Sequence, residues 1–197
     1  IWQRPENNKI YVVGNFTTYN GVNRNRIVRL NLDGSIDSSF NVGIGPDSGV
    51  LDIIILSDGK LLISGNFNTI NGITRRRIAR LNSNGTLDTS FSGPFLSNSV
   101  NSIAIQDDGK IVLGTFLGLK RLNINGTNDS TFSVSIPGLT IFKVVVQSDG
   151  KILAGGLQNN TEKRFFKFNN DGTINTDFDT GIGITDGIVS TISVEAN

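Results

Sequence analysis

The chain has 197 residues, with 18 Lys+Arg against 17 Asp+Glu for a net charge of +1, and 23 Gly against only 4 Pro. This composition excludes collagen-like and Pro-rich disordered chains, and a charge so near zero argues against a nucleic-acid binder, which needs a strong basic excess. With no Cys and no His, thiol nucleophiles, disulfides, the usual zinc sites, Ser-His-Asp triads and imidazole acid–base chemistry all fall away.

In chain order, residue 1 is Ile and Met is absent throughout, so a processed or partial chain is expected. The opening Ile1-Trp2-Gln3-Arg4-Pro5 has no charged stretch followed by an apolar one, and no signal peptide is expected in this segment. Residues 1–4 take the place of a first strand. The stretch Asn7-Asn8-Lys9-Ile10-Tyr11-Val12-Val13-Gly14-Asn15-Phe16 then returns three times. It reappears as Ser57-Asp58-Gly59-Lys60-Leu61-Leu62-Ile63-Ser64-Gly65-Asn66-Phe67, then as Asp107-Asp108-Gly109-Lys110-Ile111-Val112-Leu113-Gly114. The last return is Ser148-Asp149-Gly150-Lys151-Ile152-Leu153-Ala154-Gly155-Gly156. A second block follows each: from Arg29-Leu30-Asn31 to Phe40, Arg80-Leu81-Asn82 to Phe91, Arg121-Leu122-Asn123 to Phe132, and Lys167-Phe168-Asn169 to Phe178. Four copies spaced roughly 40–50 residues apart fall in the range of propeller blades.

The second copy predicts four strands at about 50–56, 60–67, 76–82 and 86–91. Asp58-Gly59 joins the first two and Asn84-Gly85 the last two, both dipeptides of tight hairpin turns, while a longer loop with Asn71-Gly72 joins the second and third. Near-continuous aliphatic runs point to strands covered on both faces. The longest, Ile53-Ile54-Ile55-Leu56 and Val144-Val145-Val146, are far short of the ~20 residues that span a bilayer, so no membrane insertion is expected. No apolar period of 3.6 extends beyond a turn. The expected fold is all-β: a β-propeller array of four-stranded antiparallel blades, four repeats plus one extra strand.

The residues also carry a resemblance. Ser-Asp-Gly-Lys, Gly-Asn-Phe, Asn-Gly, Arg-Leu-Asn and the Asp-x-Ser-Phe close of copies one and two resemble the delta-60 repeat, a β-propeller repeat of unknown function. The resemblance covers nearly the whole chain and is closest in copies one and two. Copy three lacks the Asn-Gly loop, Thr115 running almost directly to Lys120-Arg121, and copy four fills it with Gln158-Asn159-Asn160-Thr161-Glu162. The resemblance implies a tandem array in large exported bacterial proteins or phage structural proteins. It implies no catalytic residue. Blades are expected at about 1–40, 50–91, 100–132 and 140–178, with 188–194 as the first strand of a further blade, within a longer chain.

Several motifs invite a chemical reading. Asn31-Leu32-Asp33-Gly34 and its counterparts look like calcium loops, yet the first-ligand position holds Arg29, Arg80, Arg121 or Lys167 and the bidentate-Glu position holds Phe40, Phe91, Phe132 or Phe178. A hairpin turn fits better. Paired carboxylates would serve a glycosidase, but Asp33, Asp58, Asp108, Asp149 and Asp171 sit in turns and Asp37, Asp88 and Asp129 occupy one repeated slot. That slot is expected to pair with the cation slot. The non-repeated acids Glu6, Asp47, Asp52, Glu162, Asp179, Asp186 and Glu195 form no motif. Gly43-Ile44-Gly45 and Gly181-Ile182-Gly183 lack the strand–turn–helix setting of a dinucleotide site and read as linkers between blades.

What remains is a rim. Arg24 and Arg26 in copy one, and Arg75, Arg76 and Arg77 in copy two, flank the long loops; with Tyr19 and Ile70 they form the candidate partner-binding patch. The alternative is a solvated strand end. The expected function is a non-catalytic interaction or structural module of a large secreted or cell-surface bacterial protein, extracellular, without cofactor or metal, displaying loops to a protein or an anionic glycan. A phage tail or virion component is the second reading and a carbohydrate-binding or carbohydrate-active propeller the third. One Trp and two Tyr leave few aromatic platforms for sugars.

Overall fold

Aliphatic runs broken by Asp-Gly and Asn-Gly turns fold into strands throughout the computed structural model, with no helix among the described residues. The structure describes residues 2–4, 8–134, 136–159, 162–178, 184 and 189–194. It divides into two compact units, Ile1–Ser97 and Asn98–Asn197.

In the first unit, β1 (Trp2–Arg4), β2 (Lys9–Val13) and β5 (Ile27–Leu30) make one antiparallel sheet, with β3 (Thr18–Tyr19) and β4 (Val22–Asn23) as a small hairpin between β2 and β5. The second repeat copies this plan in β6 (Val50–Ile55), β7 (Leu61–Gly65) and β10 (Ile78–Leu81), with β8 (Thr69–Ile70) and β9 (Ile73–Thr74) as the hairpin. Tyr11, Phe40, Val50, Ile63, Phe67, Ile70 and Leu81 are among the residues of its core.

The second unit holds β11 (Val100–Ile105), β12 (Ile111–Thr115) and β13 (Gly118–Leu122) in one sheet, and β14 (Leu139–Val146), β15 (Ile152–Gln158) and β16 (Glu162–Phe168) in another. Val112, Leu119, Ile141, Val144, Ile152 and Phe168 lie in its core. The middle strands β7 and β12 are buried along their whole length, which is why they read as unbroken aliphatic runs. Residues 189–194 join no ladder among the described residues, and the Val189 side chain lies where a Cβ on Gly155 would fall.

Two expectations need correction. The fourth predicted strand is not a strand: it meets the third only at single bridges, Leu30↔Ile36, Leu81↔Leu87, Leu122↔Asn128 and Phe168↔Ile174. One residue further, the Asp side chain turns the chain away. Asp88 N–H still donates to Arg80 O (2.9 Å), but its Oδ1 accepts from Ser90 N–H (3.0 Å) and Ser90 Oγ (2.6 Å). That local competition with the ladder ends the pairing.

The turns also differ. At Asp58-Gly59 only the Gly has positive φ (83°), and Leu56 N–H donates to Lys60 O across three intervening residues. This is a three-residue hairpin loop closed by a left-handed Gly, and Asn84-Gly85 repeats it. The two-residue turn with both centres left-handed lies instead in the expected long loops, at Asn20-Gly21 (φ 47° and 74°) and Asn71-Gly72 (53° and 76°). Each loop is thereby a hairpin.

Candidate functional site

The repeated cation and acid slots do meet. Arg29 Nε donates to Asp37 Oδ2 at 2.8 Å, Arg80 Nε to Asp88 Oδ2 at 2.8 Å, and Arg121 Nε to Asp129 Oδ2 at 2.7 Å. The lysine of each Gly-Lys or Asn-Lys turn adds a second cation: Lys9, Lys60 and Lys110 lie 3.0, 2.9 and 3.2 Å from the same oxygens. Each guanidinium covers the ring of the closing Phe, with Cζ 4.8, 5.0 and 4.6 Å from the centroids of Phe40, Phe91 and Phe132.

Burial alone would raise the Asp37 and Asp88 carboxyls, but the hydroxyls of Ser39 and Ser90, the lysines, the neighbouring amides and the arginines hold both well below the usual carboxylate range. At Asp129 the Thr131 hydroxyl is the largest influence, in the same direction. These acids are ionised and fully hydrogen-bonded, which suits them to structure.

The clamp also reaches the next repeat within each unit. Arg29 Nη1 donates to Ser83 O at 2.7 Å, and Arg121 Nη1 to Asn170 O. Asn41 N–H donates to Asn84 O at 2.8 Å, and an added Cβ on Gly85 would stand 2.9 Å from the Asn41 carbonyl carbon. The turn glycine thus serves both positive φ and close approach. The fourth repeat departs from the clamp. Lys167 Nζ lies 5.7 Å from the Phe178 ring and Asn175 Nδ2 donates to Asn169 Oδ1 at 2.9 Å.

The rim residues separate into exposed and internal ones. Ile70 is 0% exposed and belongs to the core; it is removed from the patch because the hairpin folds its first strand back onto Pro46, with which Ile70 bridges. Tyr19 is half-buried and its hydroxyl donates to Gly34 O at 2.9 Å. Arg26 and Arg77 occupy left-handed backbone (φ 66° and 72°) where β5 and β10 begin. Arg77 donates from Nη1 to Asn66 O, and Arg26 from Nη1 to Asn25 Oδ1 at 3.3 Å. The side chains of Arg24 and Arg75 donate to neighbouring carbonyls, Asn23 O and Thr74 O, each at 2.8 Å.

Arg76 is exposed, with Cζ 5.3 Å from the ring centroid of Phe95, itself 73% exposed. Unlike the clamp arginines, none of Arg24, Arg26, Arg75, Arg76 and Arg77 pairs with a carboxylate among the described residues. Phe95 escapes the sequence reading because it lies in a linker outside the repeat pattern; an aromatic without a counterpart in the other copies is the signal that marks it.

Of the non-repeated acids, Asp47 Oδ1 accepts from Asn68 N–H (2.8 Å) and Thr69 N–H (3.1 Å), tying the linker to the second hairpin. Asp52 Oδ1 accepts from Ile53 N–H at 2.9 Å. Glu6, Asp179, Asp186, Glu195 and Gly181-Ile182-Gly183 lie outside the described residues. Among the described residues no group of three or more His, Cys, Asp or Glu is placed to hold a metal ion.

A family model described as "Domain of unknown function (DUF5122) beta-propeller" matches residues 6–40, 56–91 and 147–178, just over half of the chain. The chain belongs to this family. Each DUF5122 match ends on the Phe that closes a repeat, at Phe40, Phe91 and Phe178, and the third repeat, which lacks the Asn-Gly hairpin, lies outside the matches.

No curated protein matches the chain. Among solved structures it resembles the extracellular domain of BT4673 from B. thetaiotaomicron, with TM-score 0.52, 17% identity, and 83% of this chain against 21% of that one. It also resembles PorZ, a surface component of the type-IX secretion system of Porphyromonas gingivalis (TM-score 0.51, 15% identity, 75% of this chain, 23% of PorZ). A third is XC5397, a gluconolactonase from Xanthomonas campestris (TM-score 0.51, 16% identity, 75% of this chain, 53% of that one). At these identities the likeness is of fold, and the DUF5122 chain spans less than two thirds of each.

Proposed function

We propose that this chain is a non-catalytic propeller module of a larger secreted or cell-surface bacterial protein, in which delta-60-type repeats continue as further blades. Its role is to hold a basic loop surface rigidly against an acidic protein partner. The observation that carries this reading is the set of arginines at the start of β5 and β10 without a carboxylate partner among the described residues, joined by the exposed Phe95 beneath Arg76. An arginine stacked on an exposed aromatic is the side-chain chemistry of interface hot spots. The clamp arginines show the contrast, being spent on Asp, Phe and the next repeat. The non-catalytic part of the reading is supported by the repeated acids, each engaged by Ser or Thr, Lys and Arg.

The test is biolayer interferometry of the full chain on immobilised poly-L-glutamate and, separately, on polygalacturonate. Binding to poly-L-glutamate that weakens roughly tenfold in the Arg76→Glu, Phe95→Ala double variant, and falls with added salt, is the expected result. Retention untouched by the double variant would sink the proposal. Retention on polygalacturonate alone would replace the protein partner by an anionic glycan.

A further inference from the structure

Repeats one and three have the same crevice between the outer edge of the third strand and the chain leaving the closing Phe. In repeat one it lies among Ile27, Phe40 and Val42; in repeat three the matching residues are Leu119, Phe132 and Val134. Repeat one leaves only about 20 Å³ there, whereas repeat three leaves about 320 Å³. The larger figure is within the range of ligand-sized sites.

The difference follows from two residues. In repeat one the crevice is closed by the chain's own 43–45 segment. Asn25 Nδ2 donates to Ile44 O at 2.7 Å, and Gly45 N–H donates to Asn71 Oδ1 at 2.8 Å, with Gly45 at φ 84°. Repeat three has Leu117 in the place of Asn25 and Pro137 in the place of Gly45. Leu117 has no side-chain amide to give, and Pro has neither an N–H nor access to positive φ. Ile136, the counterpart of the 75%-exposed Ile44, packs against the core of the second unit instead. Leu117 is left 67% exposed at the mouth of the crevice.

Beyond Arg121 the outer edge of the strand beside this crevice has no ladder partner among the described residues, with Leu119 itself 5% exposed. Asp129 N–H donates to Arg121 O on the outer side of β13 at 3.0 Å. Two residues earlier, strand alternation puts the Leu119 N–H and C=O on that same side, and no described residue pairs with them there. Lys120, exposed beside them, makes no ion pair among the described residues, while the Asp129 charge is already met by Arg121 at 2.7 Å and Lys110 at 3.2 Å. The crevice therefore carries surplus positive charge.

We propose that the crevice on the outer edge of β13 takes an extended acidic peptide segment of a partner protein, which adds to the sheet as a further strand. Repeat one shows that the place accepts polypeptide, since there the chain's own 43–45 turn fills it, held by the Asn25 and Asn71 side chains. Backbone pairing to Leu119 gives the hold, Leu117 and Val134 meet an apolar side chain, and Lys120 selects for acids. None of the rim arginines lines the crevice.

Fluorescence anisotropy of the full chain with the fluorescein-labelled hexapeptide Glu-Val-Glu-Val-Glu-Val tests this. Saturable binding is expected, weakened roughly tenfold by Lys120→Glu, roughly tenfold by N-methylating alternate peptide amides, and unchanged by Arg76→Glu. Leu117→Asn, which restores one linker tether, should also weaken it. Absence of saturation up to about 1 mM would overturn the proposal, as would equal binding of the N-methylated peptide. A loss with Arg76→Glu matching that with Lys120→Glu would overturn it too, by placing capture on the rim. Thermal unfolding checks that Lys120→Glu keeps its fold; if it does not, the N-methylated peptide on the unaltered chain decides.

Discussion

Arg80 binds Asp88, stacks on Phe91 and donates to Ser90 Oγ at 3.2 Å with one planar fork, something a lysine's single ammonium cannot do. The fourth repeat changes both charged members together, to Lys167 and Asn175, and keeps the Phe178 ring. The two slots are therefore expected to be energetically coupled, and a double-mutant cycle in repeat two tests it. Asp88→Asn leaves Arg80 and Lys60 facing a neutral amide in a site where Asp88 is 6% exposed, at an expected cost of about 3 kcal/mol. Arg80→Lys loses the fork and costs about 1–2 kcal/mol. The double variant, which recreates the fourth-repeat pair, should cost about 1 kcal/mol less than the sum. Urea unfolding reads all three, and strict additivity would show that the pair is a coincidence of two independent contacts. The pairing itself was legible in the sequence because both slots recur at fixed spacing. The aromatic lid over the guanidinium was not, since the same spacing makes the Phe look like simple core.

At the scale of the element, the Asn-Gly hairpins carry unequal burdens. Asn71 holds the linker from both sides, Nδ2 donating to Val42 O at 2.7 Å and Oδ1 accepting from Gly45 N–H. Asn20, at the matching place in repeat one, is exposed and its side chain makes no hydrogen bond with any described residue. Both Asn tolerate left-handed backbone, and Asp does so as well. Asn71→Asp should therefore cost about 1–2 kcal/mol, by facing a carboxylate to the Val42 carbonyl, while Asn20→Asp stays within about 0.5 kcal/mol. Thermal or urea unfolding distinguishes them, and an equal effect at the two positions would remove the tether from the account. The sequence marks both dipeptides as turns without ranking them, because the ranking depends on a linker that folds back from 26 residues away. The same distance hid the burial of Ile70. As a lone apolar residue beside a basic run it reads as rim, yet the hairpin turns it inward.

Across the whole molecule the repeat was the readable part, and the departures from it carry what is specific: the arginines without a carboxylate partner among the described residues, Phe95, and the Leu117 and Pro137 of repeat three. What all three intact clamps share is a carboxyl held below its ordinary range, at Asp37, Asp88 and Asp129. A group whose folded pKa is depressed contributes stability that is fully present above its unfolded pKa and is lost as the pH falls through the folded one. The window therefore opens near pH 5, as the unfolded carboxylates of ordinary pKa begin to take up protons, and extends below pH 3. No His is present to titrate between pH 5 and 8. Unfolding free energy should accordingly stay flat from pH 8 to about pH 6 and fall steeply below pH 5, by on the order of 2 kcal/mol per clamp by about pH 2. Asp37→Asn and Asp129→Asn lie in different units with no shared partner, so their acid sensitivities should subtract independently. Urea titrations at half-unit pH steps test both statements. A stability profile as steep in the Asp37→Asn, Asp129→Asn double variant as in the unaltered chain would mean that the acid-labile groups lie elsewhere.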